Sequence, residues 1–445
     1  MSSTENRALD PDAASAAFKR RFMIRLVAVL LGGMFLDGYI LGIIGPVSDT
    51  LSEELGISSL WEGLMAAAAL LGILIGAPLG GWAADKFGRK PLFLADIMLF
   101  LVASAAQFFV DGPAQLFWVR LAMGIAIGAE YSVGWPLMSE FAPAHLRGRL
   151  MGLTLIAWYT GFMVAYFIGF QLNAAGVSWR LILGSSTIIA VVLIFARLGL
   201  PESPRWLWSV NRHDEARAVA HRYMANAADM VDVEHEDTQK GTFGMLFSRD
   251  YWRATLFMSV FWFCAVAPYF AIATFADSVL QQYGLAGGLA GGVGLSAVAL
   301  AGVVLTVALI DKIGRRALTV PPQWLCTVVL AIIGVWVGAP ALVVLVLFLV
   351  FSFFNAMYNT LTGIYPGEVF PTEIRGIGTG FAAAVSRLGA AAGTFLLPWS
   401  IDNLGIGPSM LIAAVVAAIG AGVSQWLAPE TKGKSLTEAA HTFAH

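Results

Sequence analysis

Charge is what this chain lacks. Asp, Glu, Lys and Arg make up 13% of its 445 residues, against about 25% in an average soluble domain. A water-soluble chain of this length needs more charges to cover its surface, so a soluble globular protein is excluded. Cysteine is nearly absent too: Cys264 and Cys326 both lie in apolar runs. Two such residues build no disulfide framework and have no metal-ligand spacing, and packing is their expected role. The net charge of −2 carries no footprint for nucleic acid. No nucleotide loop, metal cluster or nucleophile–base set stands out, which argues against an enzyme and against any cofactor. What the chain has in excess is apolar surface, with 58% hydrophobic residues, and the solvent that tolerates this is lipid.

Met1 to Lys19 is polar and shows no cleavable signal pattern, and the apolar run after it is too long for a signal segment. Crossing a bilayer takes about 20 apolar residues. Such runs lie near 22–46, 62–82, 91–110, 115–138, 150–172 and 180–199, and again near 254–280, 288–310, 318–337, 340–364, 377–399 and 405–427. The expectation is an all-α membrane protein of twelve spans. It divides into a tail (1–21), a six-helix bundle (22–200), a polar linker (201–253), a second six-helix bundle (254–428) and a second tail (429–445). Lys19, Arg20 and Arg21 precede span one. Lys86, Arg89 and Lys90 follow span two, and Arg147 and Arg149 follow span four. Lys312, Arg315 and Arg316 follow span eight, Arg375 follows span ten, and Lys432 and Lys434 follow span twelve. The alternate loops carry almost no Lys or Arg, Arg180 excepted, so both termini are expected in the cytoplasm.

The halves repeat. Asp85-Lys-Phe-Gly88-Arg89-Lys90 after span two returns as Asp311-Lys-Ile-Gly314-Arg315-Arg316 after span eight. Glu140-Phe-Ala-Pro-Ala-His-Leu-Arg147 after span four returns as Glu368-Val-Phe-Pro-Thr-Glu-Ile-Arg375 after span ten. Two motifs recurring in the same order at matching positions mark an internal duplication. With Glu202, Arg205 and Glu430, these charges form a set at the cytoplasmic helix ends: Asp85, Arg89, Glu140, Arg147, Glu202, Arg205, Asp311, Arg315, Glu368, Arg375 and Glu430. They can pair with one another and with helix dipoles. A network of this kind that joined the two bundles would act as a gate. The bland alternative is a set of topology-setting charges.

These motifs resemble the major facilitator superfamily over essentially the whole chain. Pro201-Glu-Ser-Pro-Arg-Trp206 and Pro429-Glu-Thr-Lys-Gly433 look like the ends of the two halves in its sugar-porter branch, and Arg120 to Gly128 resembles that branch's fourth helix. Asp37-Gly38-Tyr39 matches the start of the first-helix motif of aromatic-acid/proton symporters, with Ile40 departing from it. Ser386-Arg387-Leu-Gly389 resembles the eleventh helix of organic-anion, niacin-type and aromatic-acid transporters. The hexose-porter glutamines of span seven are missing, and so is the Gly-Pro-rich motif of drug antiporters in span five. The resemblance implies two bundles of six helices that alternate access, functioning as a monomer in a bacterial inner membrane.

Ionisable residues at membrane depth are expensive and therefore functional by default. They are Asp37 in span one, Arg120 and Glu130 in span four, and Arg387 in span eleven, with Asp96 of span three nearer a helix end. No Lys or His lies within a span, so carboxylates must carry any coupled proton. Asp37 with Arg120 as its modulating partner is the expected switch, and Glu130 is the reserve; a static ion pair is the alternative. Arg387 is the expected anion site, a guanidinium being suited to bidentate binding of carboxylate, with a packing role as the alternative. Tyr39, Trp135, Trp158, Tyr159, Trp262, Tyr269, Asn355, Tyr358 and Asn359 are expected to wall the solute site, with Gln323 and Trp324 weaker candidates. An aromatic wall with amides suits a planar or ring-shaped acid. The expected function is proton-coupled uptake of a small organic anion, such as an aromatic or sugar-derived carboxylate. An uncoupled sugar or polyol facilitator and a non-transporting receptor are the alternatives.

Overall fold

In the computed structural model the structure describes residues 11–141, 144–224, 242–285, 289–370 and 374–432. All regular structure among them is helical, and twelve helices are long and apolar enough to cross a membrane. Spans one to six are Pro11–Gly42, Ser59–Phe87, Arg89–Ala106, Pro113–Phe141, Ala144–Ala174 and the pair Trp179–Gly184 and Ser186–Arg197. Spans seven to twelve are Trp252–Thr274, Gly294–Ile313, Arg315–Val335, Ala341–Asn359, Arg375–Leu404 and Ile406–Leu427. Span one runs longer than its apolar stretch, because Pro11 suits a first helical turn. The polar linker holds two short helices, Pro204–Ser209 and His213–Tyr223. Ser203 caps the first of them by accepting from the Trp206 N–H at 3.1 Å.

Spans two and four pack backbone to backbone. Lipid tails supply no hydrophobic drive between helices, so small residues that permit close approach decide which helices associate. A Cβ on Gly124 would lie 2.0 Å from the Ala69 carbonyl, and one on Gly72 would lie 2.2 Å from the Leu121 carbonyl. Between the halves, Gly63 of span two does the same against Phe395 of span eleven.

The sequence repeat becomes a repeated joint. Gly88 and Gly314 turn the chain at φ +103° and +100°, and each is followed at once by the N-terminus of the next helix. Glu202, from the end of the first half, accepts from the Arg89 and Lys90 N–H groups at 3.0 and 3.1 Å. Glu430, from the end of the second, accepts from the Arg315 and Arg316 N–H groups at the same two distances. Each carboxylate satisfies orphan donors at the positive end of a helix. Partial burial pushes the Glu430 carboxyl up, but the N–H donors of Lys432, Arg315 and Arg316, with the Arg315 charge, hold it below the usual range.

Span seven is not continuous through 280, as its apolar stretch suggests. It stops at Thr274, leaves helical geometry at Phe275 (φ −108°, ψ 32°) and resumes as Ala276–Gln281. The break frees two carbonyls, and Tyr166 of span five caps both: its hydroxyl lies 2.6 Å from the Ala273 and Thr274 oxygens. Ser278 also donates to Asp49 at 3.1 Å. The halves are thus latched together at the end that carries Asp49. Tyr166→Phe removes a bond worth about 0.5–1.5 kcal/mol. We expect opening at this end to rise roughly 2- to 10-fold. Pulsed electron-electron resonance between labels at Glu53 and Gln281 checks this, and an unchanged distance distribution would show that the latch contributes nothing.

Candidate functional site

A cavity constricted to about 60 Å³ lies between the halves, room for a few waters. Met34 of span one, Tyr131 and Trp135 of span four, and Leu155, Trp158 and Tyr159 of span five supply one wall. Trp262, Val266 and Phe270 of span seven, Asn359, Thr362 and Gly363 from the end of span ten, and Arg387 of span eleven supply the other. Tyr131 and Trp135 stack at 5.1 Å with their planes 3° apart. The Arg387 guanidinium stands 5.5 Å over the Tyr131 ring. The Asn359 amide donates to the Tyr159 hydroxyl at 2.9 Å, bridging the halves.

Of the residues expected at the solute site, Trp135, Trp158, Tyr159, Trp262, Asn359 and Arg387 meet here. Tyr39, Tyr269, Asn355 and Tyr358 do not. Tyr39 is five positions past Met34, about 140° around the helix, and its hydroxyl bonds instead to Ser185 at 2.7 Å. Asn355 donates to the Ala265 carbonyl at 3.1 Å and to Tyr358 at 2.6 Å, which ties span ten to span seven. The Tyr269 ring packs on Tyr159 at 5.8 Å. Gln323 and Trp324 also lie elsewhere, Trp324 donating to Gln425. Tyr131 and Phe270 are the aromatic residues of the wall that sequence reasoning missed; adjacency to the intramembrane Glu130 was the one signal for Tyr131.

The buried charges correct the expected pairing. Arg120 is fully buried, but it donates to the Met65 and Ile40 carbonyls at 3.2 and 3.3 Å. It is a helix-packing arginine, and no described contact joins it to Asp37. Glu130 is ten residues away, about 15 Å along the helix, and binds Arg197 at 2.7 Å. The other arm of Arg197 binds Asp96 at 2.7 Å, and its guanidinium lies 3.8 Å from the Phe93 ring. All three side chains are fully buried. Arg197, which sequence reasoning did not single out, closes span six yet reaches inward. Gly33 makes room for this pair: a Cβ there would lie 1.7 Å from Glu130 Oε1 and 3.0 Å from Arg197 Nη2. Asp37 is one turn further along the same face of span one. It is fully buried, and neither of its carboxylate oxygens has a hydrogen-bond partner among the described residues. Its electrostatic neighbours are Glu130, Arg197, Asp96 and Arg387.

Of the expected gate charges, Asp311, Arg315, Glu368, Glu202 and Glu430 have described side-chain contacts, and these lie within their own halves. Glu368 pairs with Arg315 at 2.9 Å, and Arg315 lies 3.4 Å from Asp311. The contacts of Glu202 and Glu430 also stay within one half. Asp85 is exposed, and its carbonyl accepts from the Trp206 indole. Arg89 follows the Gly88 turn, and Arg205 sits in Pro204–Ser209. The side chains of Glu140, Arg147 and Arg375 lie outside the described residues.

Two bundles, a repeated joint and a central cavity between them match known proteins. The profile of the family described as "Sugar (and other) transporter" matches residues 25–443. The chain belongs to this family of transporters. It is 36% identical over 420 residues to the inner membrane metabolite transport protein YgcS of Escherichia coli, with 94% of each chain covered. It is 28% identical to the niacin transporter NiaP of Acinetobacter baylyi, over 92% of this chain and 94% of that one. Its fold is similar to that of the major facilitator superfamily proton:xylose symporter XylE, with a TM-score of 0.78 at 21% identity over 96% of this chain and 100% of that one. The chain is therefore an integral membrane transporter for a sugar or another metabolite, of major facilitator fold, and not an enzyme.

The two kinds of ion pair should respond differently to truncation. Glu130→Ala leaves one arm of the buried Arg197 guanidinium without a partner, the other still held by Asp96, and should cost about 1–3 kcal/mol. Arg180→Ala breaks an exposed pair with Glu54 and should cost at most about 1 kcal/mol. Thermal unfolding of both variants in detergent checks the ranking, and equal losses would contradict it.

Proposed function

We propose that this transporter takes up a small organic anion together with a proton, and that an aromatic carboxylate is the favoured solute class. The observation that carries the reading is Arg387, a guanidinium in the central cavity with no ion pair to any described carboxylate. A carboxylate entering from solution would supply the missing charge and accept two parallel N–H bonds. The lining around Arg387 favours a ring: Tyr131, Trp135, Trp158, Tyr159 and Trp262 offer faces and edges, while Asn359 is the one amide. Similarity to a protein named a niacin transporter supports the same class, niacin being an aromatic acid.

Asp37 supplies the proton site in this reading. It is buried without a partner and lies within electrostatic range of Arg387. The solute would bind in the cavity and the halves would then rock about it, with the Tyr166 latch closing one end in the structure. The Lys- and Arg-rich loops support a cytoplasmic side for both termini, and the inner membrane is the expected location, as the name of the YgcS relative supports.

A thermal-shift screen of carboxylates, sugars and amines, followed by uptake into proteoliposomes, tests the proposal. Arg387→Ala should weaken carboxylate binding at least tenfold, and Asp37→Asn should abolish accumulation driven by an imposed pH gradient while leaving solute exchange. Uptake that ignores the gradient would indicate an uncoupled facilitator. Normal binding by Arg387→Ala would remove the anion assignment. Saturable binding with no uptake at all would indicate a receptor.

A further inference from the structure

Among the described residues, the first half gathers three buried acids around one of its two buried arginines, Arg197. Asp37, Asp96 and Glu130 are at most 2% exposed, as is Arg197. Span one faces this cluster with Asp37, span three with Asp96, span four with Glu130 and Tyr131, span six with Arg197 and, across the Tyr131 ring, span eleven with Arg387. Arg120, the other buried arginine of this half, is spent on the Met65 and Ile40 carbonyls. Three carboxylates against Arg197 and Arg387 then leave one uncompensated negative charge at the cluster, and a lone charge in a low-dielectric interior takes up a proton instead of persisting. The cluster therefore holds at least one proton at neutral pH.

Geometry shows where it sits. Arg197 spends Nη1 on Asp96 Oδ1 and Nη2 on Glu130 Oε1, at 2.7 Å each. Neither oxygen of Asp37 has a partner, and Asp96 Oδ2, Glu130 Oε2 and Arg197 Nε have none either, among the described residues. We propose that Asp37, Asp96, Glu130 and Arg197 form one proton-sharing unit. Arg197 is its positioning residue: it clamps one oxygen of Asp96 and one of Glu130 and leaves Asp37 as the acid with both oxygens free to hold the proton. The unpartnered second oxygens of the clamped acids are the acceptors to which that proton can pass when Arg197 shifts. The proton is exchanged with water, and no other bond changes. A solute carboxylate on Arg387 would cancel the other cation near Asp37, so solute binding raises the proton affinity of the cluster, and by linkage protonation raises the affinity for the solute. This last step rests on the anion reading above; the proton-sharing unit does not.

Infrared difference spectroscopy of the purified full-length protein tests the unit without any solute. The protonated-carboxyl C=O band is followed through a pH titration in water and in heavy water. The wild type should show at neutral pH a component of the band that Asp37→Asn removes, distinct from any that Glu62→Gln removes. Glu130→Gln and Asp96→Asn each delete one negative charge with little change of shape, and each should lower the proton affinity reported by that component about tenfold or more. Glu54→Gln, outside the cluster and exposed, should leave it unchanged. Absence of such a component in the wild type, or a band that Asp37→Asn leaves intact, would overturn the proposal. So would a midpoint that neither Glu130→Gln nor Asp96→Asn moves; if one of these two fails to fold, the other decides. Because neither solute nor transport enters this measurement, its failure is distinct from failure of the Arg387 assignment.

Discussion

Arg197 reaching from span six to Asp96 and Glu130 fixes how the first half is built. A bilayer offers no water to solvate a stranded charge, so three helices that contribute one charge each must be held where those charges meet. The geometry leaves little latitude: both contacts are 2.7 Å long, and the Phe93 ring covers the guanidinium. Gly33 belongs to the same constraint, because span one can lie against the pair only without a side chain at that point. The position of Asp37 follows, one turn further along. Charges that look scattered over four spans in sequence are one object in the fold.

Among the described residues the second half has no counterpart to this object, although its scaffold repeats the first. The joints at Gly88 and Gly314 match in backbone angle and in their capping glutamates. At membrane depth, however, the second half presents Arg387 to the cavity. Duplication thus preserved the hinge chemistry and let the interiors diverge. A rocking motion needs two similar rigid bodies. Coupling needs two different sites, one on each side of the moving interface, that feel each other's charge. Tyr131 stands between them, its ring facing Arg387 and its chain neighbour Glu130 held by Arg197.

The fold was legible in the chain because bilayer thickness sets helix length and the positive loops recur with the repeat. Twelve spans and two halves follow from those two constraints alone. Helix interruptions were not legible: nothing in Thr274-Phe275-Ala276 breaks a helix by propensity, and the break is held from outside by Tyr166. The site was legible only in part. Depth along a helix can be read from residue position, and so Asp37, Glu130 and Arg387 stood out. Which face a residue shows depends on neighbours that the sequence does not order. Arg120 and Arg197 illustrate the difficulty. The first sits well inside its span yet binds backbone carbonyls, while the second closes its span yet carries the buried ion pairs. Tyr39 and Asn355 fail for the same rotational reason.

The expected gate charges show why a motif can be right about fold and silent about motion. Glu202 and Glu430 are bound to backbone N–H groups at the start of spans three and nine, contacts that hold each half together whichever way the halves rock. The contacts that change between states must cross between halves. Among the described contacts, the hydrogen bonds that do so are Asn359 on Tyr159 beside the cavity and Tyr166 and Ser278 at the Asp49 end. These are neutral donors, or a hydroxyl on a carboxylate, worth about 1 kcal/mol each. A few such bonds can be broken by the binding energy of one small solute, whereas a buried ion pair of the Arg197 kind could not. Strong electrostatics within each half and weak hydrogen bonds between them are the division of forces that an alternating transporter requires.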